Sequence, residues 1–181
     1  LVHKLFGFDN VGFHMGESMT IDFSGELDWQ QLMRVEQLAN EAVREDMPVR
    51  CYFPDERELR SIEYRSKLEL TEDVRLVEIG DIDICACCAP HVERTGEIGI
   101  IKIQDFMRHR GGVRVSLVCG MDALEDYRCK QESAAEISAA LSVKRDEIAP
   151  AVRKILDEQQ RQKERIAELC PRHITKNDIF A

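Results

Sequence analysis

No run in this 181-residue chain approaches the roughly 20 consecutive apolar residues that a membrane-spanning helix needs, and its charges are too mixed in sign to form a lipid-binding cluster. A membrane protein is therefore not expected. Excess positive charge is also missing. A formal net charge of −9 opposes general attraction to a polyanion, so nucleic acid would have to meet a local basic surface, and DNA is not an expected partner. One such surface is present: between Ile98 and Cys119, Lys102, Arg108, Arg110 and Arg114 face only the carboxylate of Asp105. A disulfide framework is excluded on different grounds. The seven cysteines are odd in number, Cys85, Cys87 and Cys88 crowd together, and no apolar leader precedes them, which fits a reducing cytoplasm. Hydrophobic residues make up 44% of the chain, enough for one packed domain or a domain with an appendage. The first residues, Leu1-Val2-His3-Lys4-Leu5-Phe6, read as amphipathic helix with no cap before them, so we expect part of the natural N-terminus to be missing.

Gly7, Asn10, Gly12 and Gly16 predict a turn-rich segment, and Ser18 to Phe23 alternates as a half-buried strand does. Asp28 is placed to cap a helix in which Leu32, Val35, Leu38, Ala39, Ala42 and Val43 recur at spacings of three and four, and this helix must stop before Pro48. Val49 to Phe53 reads as a strand closed by Pro54. Asp55 and Glu56 open a charged stretch expected to be helical, and Val74 to Ile79 reads as another strand. Ile98 to Phe106 and Val113 to Val118 flank Arg108-His109-Arg110-Gly111-Gly112, the pattern of a β-hairpin. After Gly120 the β signal fades. Two helices are expected to meet near Ser142-Val143-Lys144, with Pro150 tolerated in the first turn of the second. Ile148, Val152, Ile155, Gln159, Gln162, Ile166 and Leu169 form a heptad seam with two polar layers, suited to packing or to a homodimer. Pro171 to Ala181 shows no clear pattern.

The most informative stretch is Cys85-Ala86-Cys87-Cys88-Ala89-Pro90-His91-Val92-Glu93-Arg94-Thr95-Gly96. A thiol and an imidazole four residues apart, just after a strand, suit two ligands of a borderline-soft ion such as zinc. The same spacing also serves a buried thiol beside a surface imidazole, and two ligands do not close a tetrahedral site. Cys85 and Cys88 flank Cys87 and read as core or supporting thiols, since alternating side chains let at most one of them share its face.

Cys87 to Gly99 resembles the Cys-x-x-x-His block of the editing domain shared by alanyl-tRNA synthetases and the free-standing AlaX-type editing proteins. Val11-Gly12-Phe13-His14-Met15-Gly16-Glu17 and Thr20-Ile21-Asp22-Phe23-Ser24 look like that family's glycine loop and following strand, and Val35 to Val43 looks like its helix. The resemblance covers about residues 1–120. It implies an α+β fold, the two-layer editing domain of the threonyl/alanyl-tRNA synthetase second-additional-domain type. Residues 121–181 would then be a coiled-coil-like helical linker leading to a DHHA1-type domain, as in long AlaX proteins.

The resemblance further implies zinc held by Cys87 and His91, with a His-x-x-x-His pair completing the cage. That pair is absent here and would fall upstream of Leu1. His14, Thr20, Thr95 and Gly96 are candidate pocket residues by position, although a strand threonine, a turn glycine and a surface histidine explain them equally well. Asn10 stands about where many synthetases place a pocket glutamine, and Cys88-Ala89-Pro90 replaces the usual glycine-rich spacer. Lys102, Arg108, Arg110 and Arg114 are the candidate tRNA contacts. The implied activity is zinc-dependent hydrolysis of serine or glycine from the acceptor end of alanine tRNA. Two other readings remain: a tRNA-binding or oligomerisation module without hydrolysis, and a fragment of a full alanyl-tRNA synthetase whose ATP-binding motif lies elsewhere.

Overall fold

A computed structural model describes residues 1–16, 19–66 and 74–169. The expectations for Glu17, Ser18 and Pro171 to Ala181, and with them the DHHA1-type region, lie outside the described residues. The chain forms two compact units, Leu1–Glu125 and Asp126–Ala181. Among the described residues no helix is long and apolar enough to cross a membrane.

The first unit is α+β, as expected, and its main sheet follows from simple alternation. Strands β1 (Asn10–Met15), β2 (Met19–Phe23), β6 (Ile101–His109) and β7 (Gly112–Cys119) pair antiparallel in the order β1-β2-β7-β6. Met19, Ile21 and Phe23 stand opposite Leu117, Val115 and Val113. With Ile103 on β6, these side chains point to one face and build the core with Val2, Leu27 and Leu32. Thr20, Asp22, Arg114 and Ser116 alternate to the other face. The segment expected to be turn-rich is strand β1, with its register broken by a bulge between Asn10 and Gly12. Gly12 belongs to this strand for a steric reason: a Cβ there would lie 2.6 Å from Oδ2 of Asp22.

Short helix α1 (Val2–Phe6) buries Val2 against this core, and α2 (Trp29–Arg44) buries Leu32. Asp28 starts α2 as expected. Its Oδ1 accepts from the Gln31 amide at 2.8 Å, and Gln31 Oε1 accepts from the Asp28 amide at 2.9 Å, a complete capping box. The polar side chains of α2 then cover the open edge of β6. Asn40 accepts from the Ile101 amide at 2.9 Å and donates to the Ile101 carbonyl at 2.8 Å, in the manner of a neighbouring strand. Glu36 accepts from the Ile103 amide at 2.6 Å. An edge that would otherwise present unpaired backbone groups is thus satisfied by a helix.

A second antiparallel sheet runs β3-β4-β5, from Val49–Tyr52, Leu76–Ile79 and Asp83–Ala86. The sequence showed β4 but not β5, whose four residues Asp83 to Ala86 run straight into the Cys87–His91 segment. Gly80, at φ 48°, makes the turn between them in the left-handed region. Leu76 and Val77 are fully buried. Between β3 and β4 lies α3 (Glu56–Leu59), capped by Asp55 as the acidic pair predicted.

Helix α4 (Gly120–Leu141) runs into the second unit. There a turn with Ser142 at φ 54° and a 3₁₀ segment lead to α5 (Ile148–Leu169), which carries Pro150 in its first turn. On α5, Ile155, Ile166 and Leu169 of the heptad seam are exposed.

Candidate functional site

Strand β5 delivers the Cys87–His91 segment. Where the ladder ends at Ala86, the Cys87 amide donates to the Arg75 carbonyl at 3.1 Å. The Arg75 side chain reaches back across the same loop, its Nη1 donating to the Cys87 carbonyl at 2.8 Å and to the Ala89 carbonyl at 2.9 Å. His91 Nδ1 lies 2.8 Å from that same Ala89 oxygen. A carbonyl can only accept, so Nδ1 carries the proton in this contact, and in a neutral ring of this tautomer the lone pair falls on Nε2.

Cys87 is half-buried, His91 and Cys88 are exposed, and all three belong to one loop. Cys85 lies within β5, where burial, and secondarily the Asp83 carboxylate, pushes its thiol up towards the protonated form. A thiol so disposed is a poor ligand, consistent with the supporting place expected for it. Zinc can be tested against these donors. Cys87 and the open Nε2 of His91 are right in kind for two corners of a tetrahedral site. Among the described residues no group of three or more metal-binding side chains comes together.

Thr95 and Gly96 hold a joint. Thr95 is buried, its hydroxyl donates to the Ala42 carbonyl at 2.7 Å and accepts from the Met47 amide at 2.8 Å, and its own amide donates to the Met47 carbonyl at 2.9 Å. Gly96 is needed where the chain passes Asp46: a Cβ would lie 2.4 Å from Asp46 Oδ1, which accepts from the Gly96 amide. Arg94 Nε donates to the other Asp46 oxygen at 2.7 Å. These contacts tie the 3₁₀ turn Thr95–Ile98 to the end of α2. The close approach at Gly96 is therefore to a carboxylate of the protein itself, and the Thr95 hydroxyl is engaged in the same joint.

His14 and Thr20 face each other across β1 and β2, on the main sheet, whereas Cys87 and His91 follow the smaller one. Their neighbour Asp22 gave no signal in the sequence beyond being polar at an outward strand position. It is nevertheless buried, at 6% exposure, under a two-pronged contact from Arg114 at 2.6 and 2.7 Å. His14 Nε2 and His109 Nε2 stand 3.8 and 3.7 Å from the same Asp22 oxygen, and Arg114 Nη2 lies 3.3 Å from His109. The hydrogen bonds from Arg114 hold the Asp22 carboxyl below the usual carboxylate range despite its burial. Arg114 is thus committed to the protein.

Lys102 is committed as well, its Nζ lying 2.8 Å from Glu36 Oε1. The basic surface read from the sequence therefore narrows to two of its four cations. Arg108 is 86% exposed, with Glu26 only at 3.8 Å, and Arg110 is exposed at the hairpin turn with φ 47°.

Residues 74–121, from the approach to β4 through β7, match the family model of the threonyl and alanyl tRNA synthetase second additional domain. The chain is 31% identical over 130 residues to the alanyl-tRNA editing protein AlaX-L of Pyrococcus horikoshii, covering 68% of this chain and 32% of that protein. It is 32% identical over 160 residues to the alanine–tRNA ligase of Pyrobaculum neutrophilum, covering 82% of this chain and 18% of the ligase. With the alanine–tRNA ligase of Halorubrum lacusprofundi the identity is 34% over 119 residues, or 63% of this chain and 13% of the ligase. The chain spans between 13% and 32% of the length of these relatives. These matches support an AlaX-like editing-domain family related to the alanyl-tRNA synthetases.

Proposed function

We propose that the protein edits tRNA, hydrolysing the ester that joins a wrong amino acid, serine or glycine, to the 3′ end of alanine tRNA. The observation that carries this reading is the Cys87–His91 loop, which brings a half-buried thiol and an exposed imidazole tied through Nδ1 to the Ala89 carbonyl into one short segment, inside the part of the chain that matches the editing-domain family. Cys87 and His91 would hold zinc, which when bound supplies Lewis acidity to the ester carbonyl and to water. The protein's own contribution is to fix those donors and to bring the acceptor end to them. Arg108 and Arg110, exposed on the hairpin, are the cations we assign to tRNA phosphates.

Full-length protein should release serine from alanine tRNA far faster than alanine. A site built around a buried polar partner for a substrate hydroxyl rejects the analogue lacking it by about 10⁴ or more. Equal rates on seryl- and alanyl-tRNA would refute editing selectivity. The second reading, a tRNA-binding module without hydrolysis, is favoured by the absence of a three-donor group among the described residues. Binding of tRNA with no release of serine would decide in its favour.

The tRNA surface has its own test. Arg108→Ala and Arg110→Ala should each reduce the slope of log affinity against log salt by about 1, because each phosphate contact releases condensed counterions. Lys102→Ala and Arg114→Ala should leave that slope close to the parent's, since their charges are paired within the protein. Anisotropy titrations of labelled tRNA over a salt series distinguish the two pairs, and a slope change confined to Lys102 and Arg114 would reverse the assignment.

A further inference from the structure

We infer that Arg75 is a positioning residue for the Cys87–His91 loop, setting the tautomer of His91 and through it the nitrogen the loop offers to a ligand. Three observations converge on this residue. Its backbone carbonyl receives the Cys87 amide at 3.1 Å, while its guanidinium holds the Cys87 and Ala89 carbonyls at 2.8 and 2.9 Å. Arg75 thus grips the loop from both its main chain and its side chain. The Ala89 oxygen has two lone pairs, one taken by Arg75 and the other by His91 Nδ1 at 2.8 Å. With the carbonyl so fixed, the Nδ1 proton has a definite acceptor. Nε2 is left open, the arrangement in which a metal-binding imidazole is usually held by its second-shell partner.

Pro90 contributes from the sequence side. The residue before a proline is restricted to extended conformations, so Ala89 cannot readily turn its carbonyl away from Arg75 and His91. Where a glycine-rich spacer would leave the loop to be ordered by its ligand, Ala89-Pro90 and the Arg75 clamp order it beforehand. Arg75 sits immediately before β4, whose Leu76 and Val77 are fully buried, so the clamp is anchored in the core of the smaller sheet.

This inference rests on the proposed editing function for its consequence and is tested independently of it. The probe is long-range ¹⁵N–¹H correlation of the imidazoles in full-length protein, stripped of metal by chelation and held well above the imidazole pKa. His91 of the parent should be the Nδ1–H tautomer. In Arg75→Ala it should move towards the Nε2–H form that free imidazole favours, while the Cys87 amide, whose acceptor is the backbone carbonyl that alanine keeps, should stay protected from hydrogen exchange. Arg75→Lys, which retains a cation able to meet one of the two carbonyls, should recover part of the tautomer signal, and the retained Cys87 amide protection guards against reading mere unfolding as an effect. Zinc affinity, measured by competition with a chromophoric chelator, should fall about tenfold to hundredfold in Arg75→Ala. A parent His91 already in the Nε2–H form, or the same tautomer in Arg75→Ala as in the parent, would overturn the assignment. A parent that never hydrolyses seryl-tRNA would refute the editing function, and the tautomer measurement would still decide the role of Arg75.

Discussion

Cys87→Ala is expected to lower release of serine from alanine tRNA by at least about a hundredfold, and to lower bound zinc in parallel. Substitutions that only disturb the partners of a metal ligand already cost tenfold to a hundredfold, so removing a donor atom itself should cost no less. The fold should survive. Cys87 is half-buried at the end of β5, and the contacts that order its loop run through its backbone amide and carbonyl, which alanine keeps. Unchanged hydrolysis at parental zinc content would remove Cys87 from the reaction. His91→Ala provides a second arm, because it deletes the imidazole while leaving the Arg75 contact to Ala89 in place. The two variants should fail alike in activity and metal content while keeping the parent's thermal transition.

How far these positions could be read from the sequence depended on whether their signals were local. The capping of α2 by Asp28 and the hairpin of β6 and β7 are each written within a few residues, and each is found as expected. Strand β1 was hidden because its glycine answers to a residue of the next strand: Gly12 makes room for Asp22, a contact the local pattern of β1 does not announce. The four candidate cations looked equivalent for the same reason. Glu36 and Asp22, which neutralise Lys102 and Arg114, lie 66 and 92 positions away in the chain. Arg75 was equally silent. An arginine before a strand reads as solvent-facing until β5 turns back and brings the Cys87 and Ala89 carbonyls to it.

Thr95 offers the sharpest contrast between a pocket residue and a structural one, and Thr95→Val should decide it. Valine preserves the shape of the side chain and removes only the hydroxyl, leaving the Ala42 carbonyl and the Met47 amide without the partner they share. Ala42 is near the end of α2, among the last carbonyls that a helix cannot satisfy internally. Beyond it Asp46 takes a left-handed φ of 51°, so the backbone turns away and does not supply the missing bond. Thr95 is only 4% exposed, which leaves little room for water to replace its hydroxyl. Each unsatisfied group costs about 1–3 kcal/mol, so the pair should lower unfolding free energy by about 2–6 kcal/mol, a large part of the roughly 5–15 kcal/mol typical of a folded domain. Chemical denaturation would show this as a lower midpoint with an unchanged slope. Thr95→Ser keeps the hydroxyl and gives up one methyl group, and should therefore stay within about 1.5 kcal/mol of the parent. A valine variant as stable as the parent but impaired in hydrolysis would return Thr95 to the substrate pocket. Loss of stability in valine and its recovery in serine would fix it as the bolt between α2 and the turn that follows the Cys87–His91 loop.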